Sequence, residues 1–420
     1  MADSERSPRA GLSKRGQQLV EASPTPEYLR AHFERNELLY DAVARPDGYI
    51  PLCVAENALV FDVLRAKMDQ CRDVTAPWLG YQSMTGAPRF KEQLARFMSR
   101  KILGREVRPE HVAALAGAGS VLEILFHAIA DAGDAVLVPT PSYAGFWLDL
   151  ETRDEISILP VHTTSGEGFR LTTARLEQAM AASTRPVRAL LFTSPNNPLG
   201  TVYAPSELEE ILRFGERAGL HVVFDEIYAL SVFGATPFRS VASLRPSFGP
   251  NVHIVWAFSK DFAASGLRCG ALVTENLDLL AAVDALAYWA CVSGDTQFLL
   301  GEMVSDDLWV DHYASTMQAR LGEAYRAITA RLEAAGIPYV PSEAGFFFLL
   351  DLRARLDAPT WAAEDALWRR LLEQANVNLT PGSACRIGEP GFMRLCFAGV
   401  PPATAAVGVD RLARALRPRA

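Results

Sequence analysis

The stretch Val252-His-Ile-Val-Trp-Ala-Phe-Ser-Lys260-Asp-Phe-Ala-Ala-Ser-Gly-Leu-Arg268-Cys-Gly270 decides the fold. Val252, Ile254 and Val255 form a β-branched apolar run that reads as a buried strand, and the strand delivers Ser259 and Lys260 at its end. A loop of small residues follows, with Arg268 eight positions after the lysine. The chain holds five lysines, and Lys14, Lys67, Lys91 and Lys101 lie in segments rich in Arg, Gln or Glu, as solvated amines do. Lys260 differs because its upstream neighbours belong in a core. Burial disfavours the ammonium form and lowers a lysine pKa, which an amine that forms a Schiff base needs. A lysine snorkelling from a strand end is the competing reading.

Working outward, short apolar strands alternate with amphipathic helices. The strand-like runs are 112–115, 135–138, 156–159, 189–193, 221–224 and 252–256. Helical runs at 120–130, 172–182 and 205–218 lie between several of them. This alternation predicts an α/β fold with a mostly parallel sheet covered on both faces. Ligands then gather at the carboxyl ends of the strands. After about Asp306 the pattern changes to a long helix at 312–335, a strand at 345–350, a helix at 360–374 and a strand-like run at 392–398. We expect a flexible N-terminal arm over 1–26 and a large domain over 61–305. A smaller α+β domain over 306–420 is expected to be completed by 27–60, where a helical pattern spans 26–45.

The bulk properties exclude several classes. With 420 residues, 49% hydrophobic and 21% charged, the composition is that of a globular protein. A formal net charge of -8 gives no general attraction to nucleic acid or to an anionic membrane. Neither a signal-peptide core nor an unbroken apolar span is visible, so the expected location is the cytoplasm. The six cysteines are scattered without a Cys-x-x-Cys pair, and the seven histidines lack ligand spacing, so no metal site is expected.

Four segments carry candidate chemistry. Gly117-Ala118-Gly119-Ser120 joins a strand to a helix, where backbone N–H groups can meet a phosphate; a tight connection is the alternative. Ser194-Pro-Asn-Asn197-Pro-Leu-Gly-Thr201 ends another strand in a rigid loop that can aim the Asn197 amide into a cleft, or is a plain turn. Asp225 follows Val222, Val223 and Phe224, so a carboxylate is carried to the edge of a core, with Tyr228 three residues on. Such a group needs a cation or donors, although an N-cap role also fits. Arg394 stands in an apolar run, where its planar fork suits a carboxylate or a structural ion pair.

Together these parts match pyridoxal 5′-phosphate (PLP) chemistry. Lys260 would form the internal aldimine, and Asp225 would keep the pyridine nitrogen protonated. Asn197 and Tyr228 would hydrogen-bond the ring's phenolic oxygen and keep the imine pKa low. The 117–120 amides, Ser259 and Arg268 would bind the phosphate, and Tyr143 would stack on the ring. Arg394 would clamp the substrate α-carboxylate while Lys260 removes the Cα proton.

The sequence resembles the fold-type I PLP enzymes of the class I/II aminotransferase superfamily over nearly its whole length after about residue 27. Asp225 follows Asn197 by 28 positions and precedes Lys260 by 35, spacings that agree with that superfamily. The local stretches are most similar to 1-aminocyclopropane-1-carboxylate (ACC) synthases. They are Ala55-Glu56-Asn57, Asn197–Thr201, Asp225–Tyr228, Ser259–Asp261, Thr296-Gln297, Pro381–Ser383 and Glu389–Phe392 leading to Arg394.

The resemblance implies a PLP-dependent transferase fold with a seven-stranded sheet sandwiched by helices. It also implies a homodimer in which Tyr81 reaches the partner's cofactor, and Ala55, Glu56 and Asn197 at the substrate. Three departures stand out: Ala257 for a serine that helps bind the phosphate, Leu148 for an arginine of the plant enzymes and Leu79 for a glutamine.

The implied reaction is Cγ elimination, replacement or cyclisation on S-adenosylmethionine (SAM) through a Cα carbanion (quinonoid), with methylthioadenosine released and a second small substrate possible. Transamination between an amino acid and a 2-oxo acid shares the first steps and is the alternative. A non-catalytic PLP-fold protein is a third reading, opposed by intact Lys260, Asp225 and Arg394.

Overall fold

A computed structural model describes residues 11–417. Its strands are β1 (Ile50–Pro51), β2 (Val112–Leu115), β3 (Ala135–Thr140), β4 (Ser157–His162), β5 (Val187–Thr193), β6 (His221–Asp225), β7 (Val252–Ala257), β8 (Gly270–Thr274), β9 (Phe347–Asp351), β10 (Val377–Asn378), β11 (Thr380–Pro381) and β12 (Phe392–Cys396). Seven of them form one sheet in the order β2-β8-β7-β6-β5-β3-β4. All its pairings are parallel except those of β8, which runs antiparallel to both neighbours.

The sheet divides the core by side-chain parity, as strand geometry requires. On β6, Val222 and Phe224 pack on one face and Val223 on the other; on β7, Ile254 and Trp256 oppose Val255 in the same way. Such two-sided burial explains why these strands read as continuous apolar runs. Helices cover both faces. Pro205–Ala218 is a clear case: Pro205 opens it, Glu207 Oε2 accepts the Ala204 N–H (2.8 Å), and Gly219 closes it in the left-handed region (φ 66°). Its buried Leu208, Ile211, Leu212 and Gly215 recur at helical spacing.

The C-terminal part is built on a three-stranded antiparallel sheet, β11-β12-β9. Short β1 pairs in parallel with β10, attaching the N-terminal segment to this later part of the chain. The long helix spans Asp307–Ala334, opening five residues before the expected start because Asp306 Oδ1 caps it through Trp309 N (3.0 Å).

Three expectations need correction. The helical pattern over 26–45 yields a helix only over Glu27–Arg35 and a turn at Asn36–Leu38, because Tyr40 N donates to Tyr49 O (2.9 Å) and pulls the following segment into a loop. Part of the arm expected over 1–26 is regular: Lys14–Glu21 is helical with Ser13 as cap and buries no residue. Residues 1–10 of that arm lie outside the described residues. β8 and the closing helix Pro402–Ala415 were not foreseen, β8 because its run follows the Arg268 loop without a polar alternation to mark it.

The loop after β5 locks onto the C-terminal part. Gly200 has φ 66°, its carbonyl accepts Glu343 N (3.1 Å), and a Cβ there would collide with Ser342 Oγ and lie 2.6 Å from Ala344 O. Gly200→Ala is therefore expected to cost about 1–3 kcal/mol through backbone strain and displaced neighbours. A thermal melt superimposable on that of the wild type would refute the tight contact.

Candidate active site

The carboxyl ends of β5, β6 and β7 and the loop before the helix Ala118–Ile129 surround a cavity of about 240 Å³. Its walls include Ala118, Gly119, Tyr143, Asn197, Asp225, Tyr228, Ser259, Lys260 and Arg268. Asp149, Ser265, Leu122, Phe146 and Ile227 complete them. Most of the residues expected from sequence thus meet in one place.

Each is placed by a local device. β7 ends at Ala257, and the single turn Phe258–Asp261 carries Ser259 and Lys260. The chain then doubles back through Ala263 (φ 51°) and Arg268 (φ 49°) into β8. Gly270 allows close approach: a Cβ there would lie 2.7 Å from the Gly117 carbonyl carbon. The Arg268 guanidinium is thereby laid against Gly117, with bonds to the carbonyls of Ser265 (3.0 Å) and Ala116 (3.2 Å). A Cβ on Gly117 would come within 2.5 Å of it. An arginine beside exposed amides at a helix start forms an anion cradle.

Lys260 Nζ donates to Ala55 O (2.6 Å). Burial pushes its pKa from 10.5 down to about 8; Glu56 opposes that shift and the positive Arg394 reinforces it. Asp225 is 5% exposed and meets the Ile227 N–H at 3.2 Å. Burial raises its carboxyl to about 7, the Ile227 donor works against this, and Asp149 adds to it. A carboxyl so placed gains from a protonated ring nitrogen.

Arg394, on β12, is buried against Phe347, whose ring centroid lies 5.4 Å from the guanidinium. It donates to Asn197 Oδ1 (3.0 Å), Cys53 O (2.8 Å) and Thr380 Oγ1 (3.1 Å), while its Nε has no partner among the described residues. A buried, unsatisfied guanidinium N–H is costly unless a ligand supplies the acceptor. Tyr228 is fixed edge-on to Phe346 and Phe347.

Arg394 is not among the residues that line this cavity, and four more expected residues stand elsewhere. Ser120 donates its hydroxyl to Ala116 O (3.2 Å) and lines a separate small cavity with Glu123 and His127. Ala55 and Glu56 border Lys260 from the N-terminal segment, Glu56 accepting from Ser265 Oγ (3.2 Å). Tyr81 is 100% exposed and lies outside the cavity.

Sequence reasoning missed Asp149, whose carboxyl burial raises to about 7 with Glu123 as the second cause. It also missed Tyr28, buried on the helix Glu27–Arg35 near Arg394, Cys385 and Tyr143. Neither carries a local signal, since both sit in ordinary amphipathic helices.

Residues 48–412 match the profile of a family described as aminotransferase class I and II. The chain is 36% identical over 415 residues to 1-aminocyclopropane-1-carboxylate synthase 4 of Oryza sativa subsp. japonica, covering 89% of this chain and 84% of that protein. It is 34% identical over 403 residues to 1-aminocyclopropane-1-carboxylate synthase 8 of Arabidopsis thaliana, covering 91% and 86%. Among solved structures, aspartate aminotransferase from Thermus thermophilus with maleate is similar at a TM-score of 0.79 and 23% identity, covering 96% of this chain and 99% of that one.

The buried amine gives a test that needs no substrate. Reductive alkylation of Lys260 with a small aldehyde, followed by peptide mass spectrometry, is expected to rise with pH through a midpoint near about 8. Above that pH the amine is neutral and nucleophilic. A midpoint at the ordinary 10.5 would sink the burial argument.

Proposed function

The chain belongs to the class I and II aminotransferase family of PLP-dependent enzymes, and from that premise we propose that it acts at Cγ of an α-amino acid, closing SAM to 1-aminocyclopropane-1-carboxylate and methylthioadenosine. The observation that carries the amino-acid half of this reading is the buried Arg394, whose Nε is unpaired and which donates to Asn197, a residue that lines the same cavity as Lys260. The curated relatives, all ACC synthases among those compared above, carry the other half.

The residues fit the cofactor. Arg268, Ser259 and the amides of Ala118 and Gly119 would hold its phosphate. Asp225 would face the ring nitrogen, Asn197 and Tyr228 its phenolic oxygen, and Tyr143 its face. When bound, PLP supplies an electron sink that makes the Cα–H bond of an attached amino acid ionisable.

The chain does the rest. Arg394 holds the substrate carboxylate through a charge-assisted pair and so fixes which Cα bond faces Lys260. The lysine amine, its pKa brought down to about 8 by burial, takes the Cα proton. The released electron pair closes on Cγ while the Cγ–S bond breaks with its pair to sulfur, so a sulfonium leaves as a neutral thioether. Glu56, an exposed carboxylate beside the Ala55–Lys260 contact, suits the positive sulfur.

We take residues 61–305 as the cofactor domain and 306–420 with 27–60 as the smaller one. The same reading includes a homodimer, supported by the exposure of Tyr81, Leu79, Tyr288 and Trp289. Tyr81 would then serve the partner's site. No helix among the described residues is long and apolar enough to cross a membrane, and we place the enzyme in the cytoplasm.

Transamination is the second reading. The hydrophobic Leu148 and Leu79, both exposed, favour it, because the resemblance to ACC synthases calls for polar side chains at those positions.

Incubation with SAM should release methylthioadenosine. Amino-group exchange between an amino acid and a 2-oxo acid, without that release, would instead establish the second reading. Arg394→Ala should raise KM at least tenfold for every α-amino acid accepted, the loss of a charged hydrogen-bonded pair. An unchanged KM would remove Arg394 from the site. Lys260→Ala should abolish turnover with the fold intact, and surviving turnover would exclude the lysine as base.

A further inference from the structure

Asp261 follows Lys260 directly and is fully buried, yet it lies outside the cavity wall. Its Oδ2 accepts Leu230 N (3.0 Å) and Trp256 Nε1 (2.8 Å), and its Oδ1 accepts Ser231 Oγ (2.7 Å). Leu230 and Ser231 are the second and third residues after Tyr228. One carboxyl group therefore joins the segment leaving Tyr228 to β7 and to the turn that carries the lysine.

The same segment is held from the other side by the C-terminal part. Gln318 Nε2 donates to Leu230 O (2.9 Å), Gly345 N donates to Ser231 O (2.9 Å), and Val232 bridges Ala344. Around the turn, Phe262 stacks on Tyr313 at 5.2 Å between centroids and packs on Trp256 and Phe258. Burial among these rings lifts the Asp261 carboxyl to about 7, and its donors pull it back. The groups that face Lys260 are Glu56, Arg394, Cys396 and Asp225, and Tyr313 faces Asp261.

We propose that Asp261 is a positioning residue whose three hydrogen bonds fix the Tyr228 hydroxyl relative to Lys260 Nζ, and thereby set the proton affinity of the lysine once it is joined to PLP. The proposal rests on the reading of Lys260 as the cofactor-bearing amine. Its influence runs through geometry rather than charge, because the Tyr228 ring cannot hold its place if the segment behind it slides.

The experiment is a pH titration of the visible absorbance of the PLP-loaded enzyme. Asp261→Ala should raise the midpoint by about one unit, the worth of one well-placed hydrogen bond. Asp261→Asn keeps an acceptor for Leu230 N and Trp256 Nε1 and can donate to Ser231 Oγ, so its midpoint should stay at the wild-type value. In a Tyr228→Phe background, Asp261→Ala should add nothing further. Should the alanine variant fail to fold, Ser231→Ala removes one bond and should give a smaller shift in the same direction.

An unshifted midpoint in Asp261→Ala, or in Ser231→Ala where that variant stands in for it, overturns the proposal. So does a shift in Asp261→Asn equal to that in Asp261→Ala, or one that persists without the Tyr228 hydroxyl. A wild-type enzyme that develops no visible band would instead overturn the reading of Lys260 itself.

Discussion

Taking ionisable groups out of water is the constraint on which this structure turns. Asp225 ends β6 and Lys260 lies on the turn that follows the adjacent parallel β7, strands whose other side chains are almost all apolar, so both groups arrive at the cavity already desolvated. Desolvation favours the neutral form of each: it lowers the amine and raises the carboxyl. The two groups are thus matched to a ligand that can take up an imine bond at one end and share a proton at the other. Arg394 extends the same logic. A guanidinium cannot shed its charge, so its burial is tolerated through hydrogen bonds to Asn197, Cys53 and Thr380.

Much of this was legible in the chain because the chemistry and the strands coincide. Charged or amide residues at or within about four positions of the end of an apolar run, as at Asn197, Asp225 and Lys260, mark strand ends in a parallel sheet without any knowledge of topology. What escaped the reading was set by tertiary contact. Asp149 becomes part of the cavity only because its helix docks beside Gly119, and Tyr28 meets Arg394 only because β1 pairs with β10. β8 escaped for another reason: it opens two residues after Arg268, with only Cys269 between them, so no turn signal sets it off from that loop. The helix predicted over 26–45 failed where backbone pairing around Tyr40 and Tyr49 outweighed local propensity.

Glycine marks the places where the two halves of the site come closest. Gly117 and Gly270 let the loop before the helix Ala118–Ile129 touch the start of β8, and this contact brings Arg268 over the helix start. Gly200 does the same between the Asn197 loop and Ser342–Ala344. A side chain at any of the three would push apart segments whose separation the ligand must span. The cavity is therefore as much a product of missing Cβ atoms as of the charged groups that line it.

The short N-terminal segment has a consequence for the order in which the enzyme comes into being. Cys53 O accepts from Arg394 and Ala55 O from Lys260, so two carbonyls a single residue apart span the guanidinium and the amine. Cys53 precedes Arg394 by 341 positions in the order of synthesis. The carbonyl of Cys53 therefore stays without this donor until Arg394 has emerged. The seven strands of the large sheet are all made by Thr274, well before that point, whereas the link between the N-terminal segment and β12 is not.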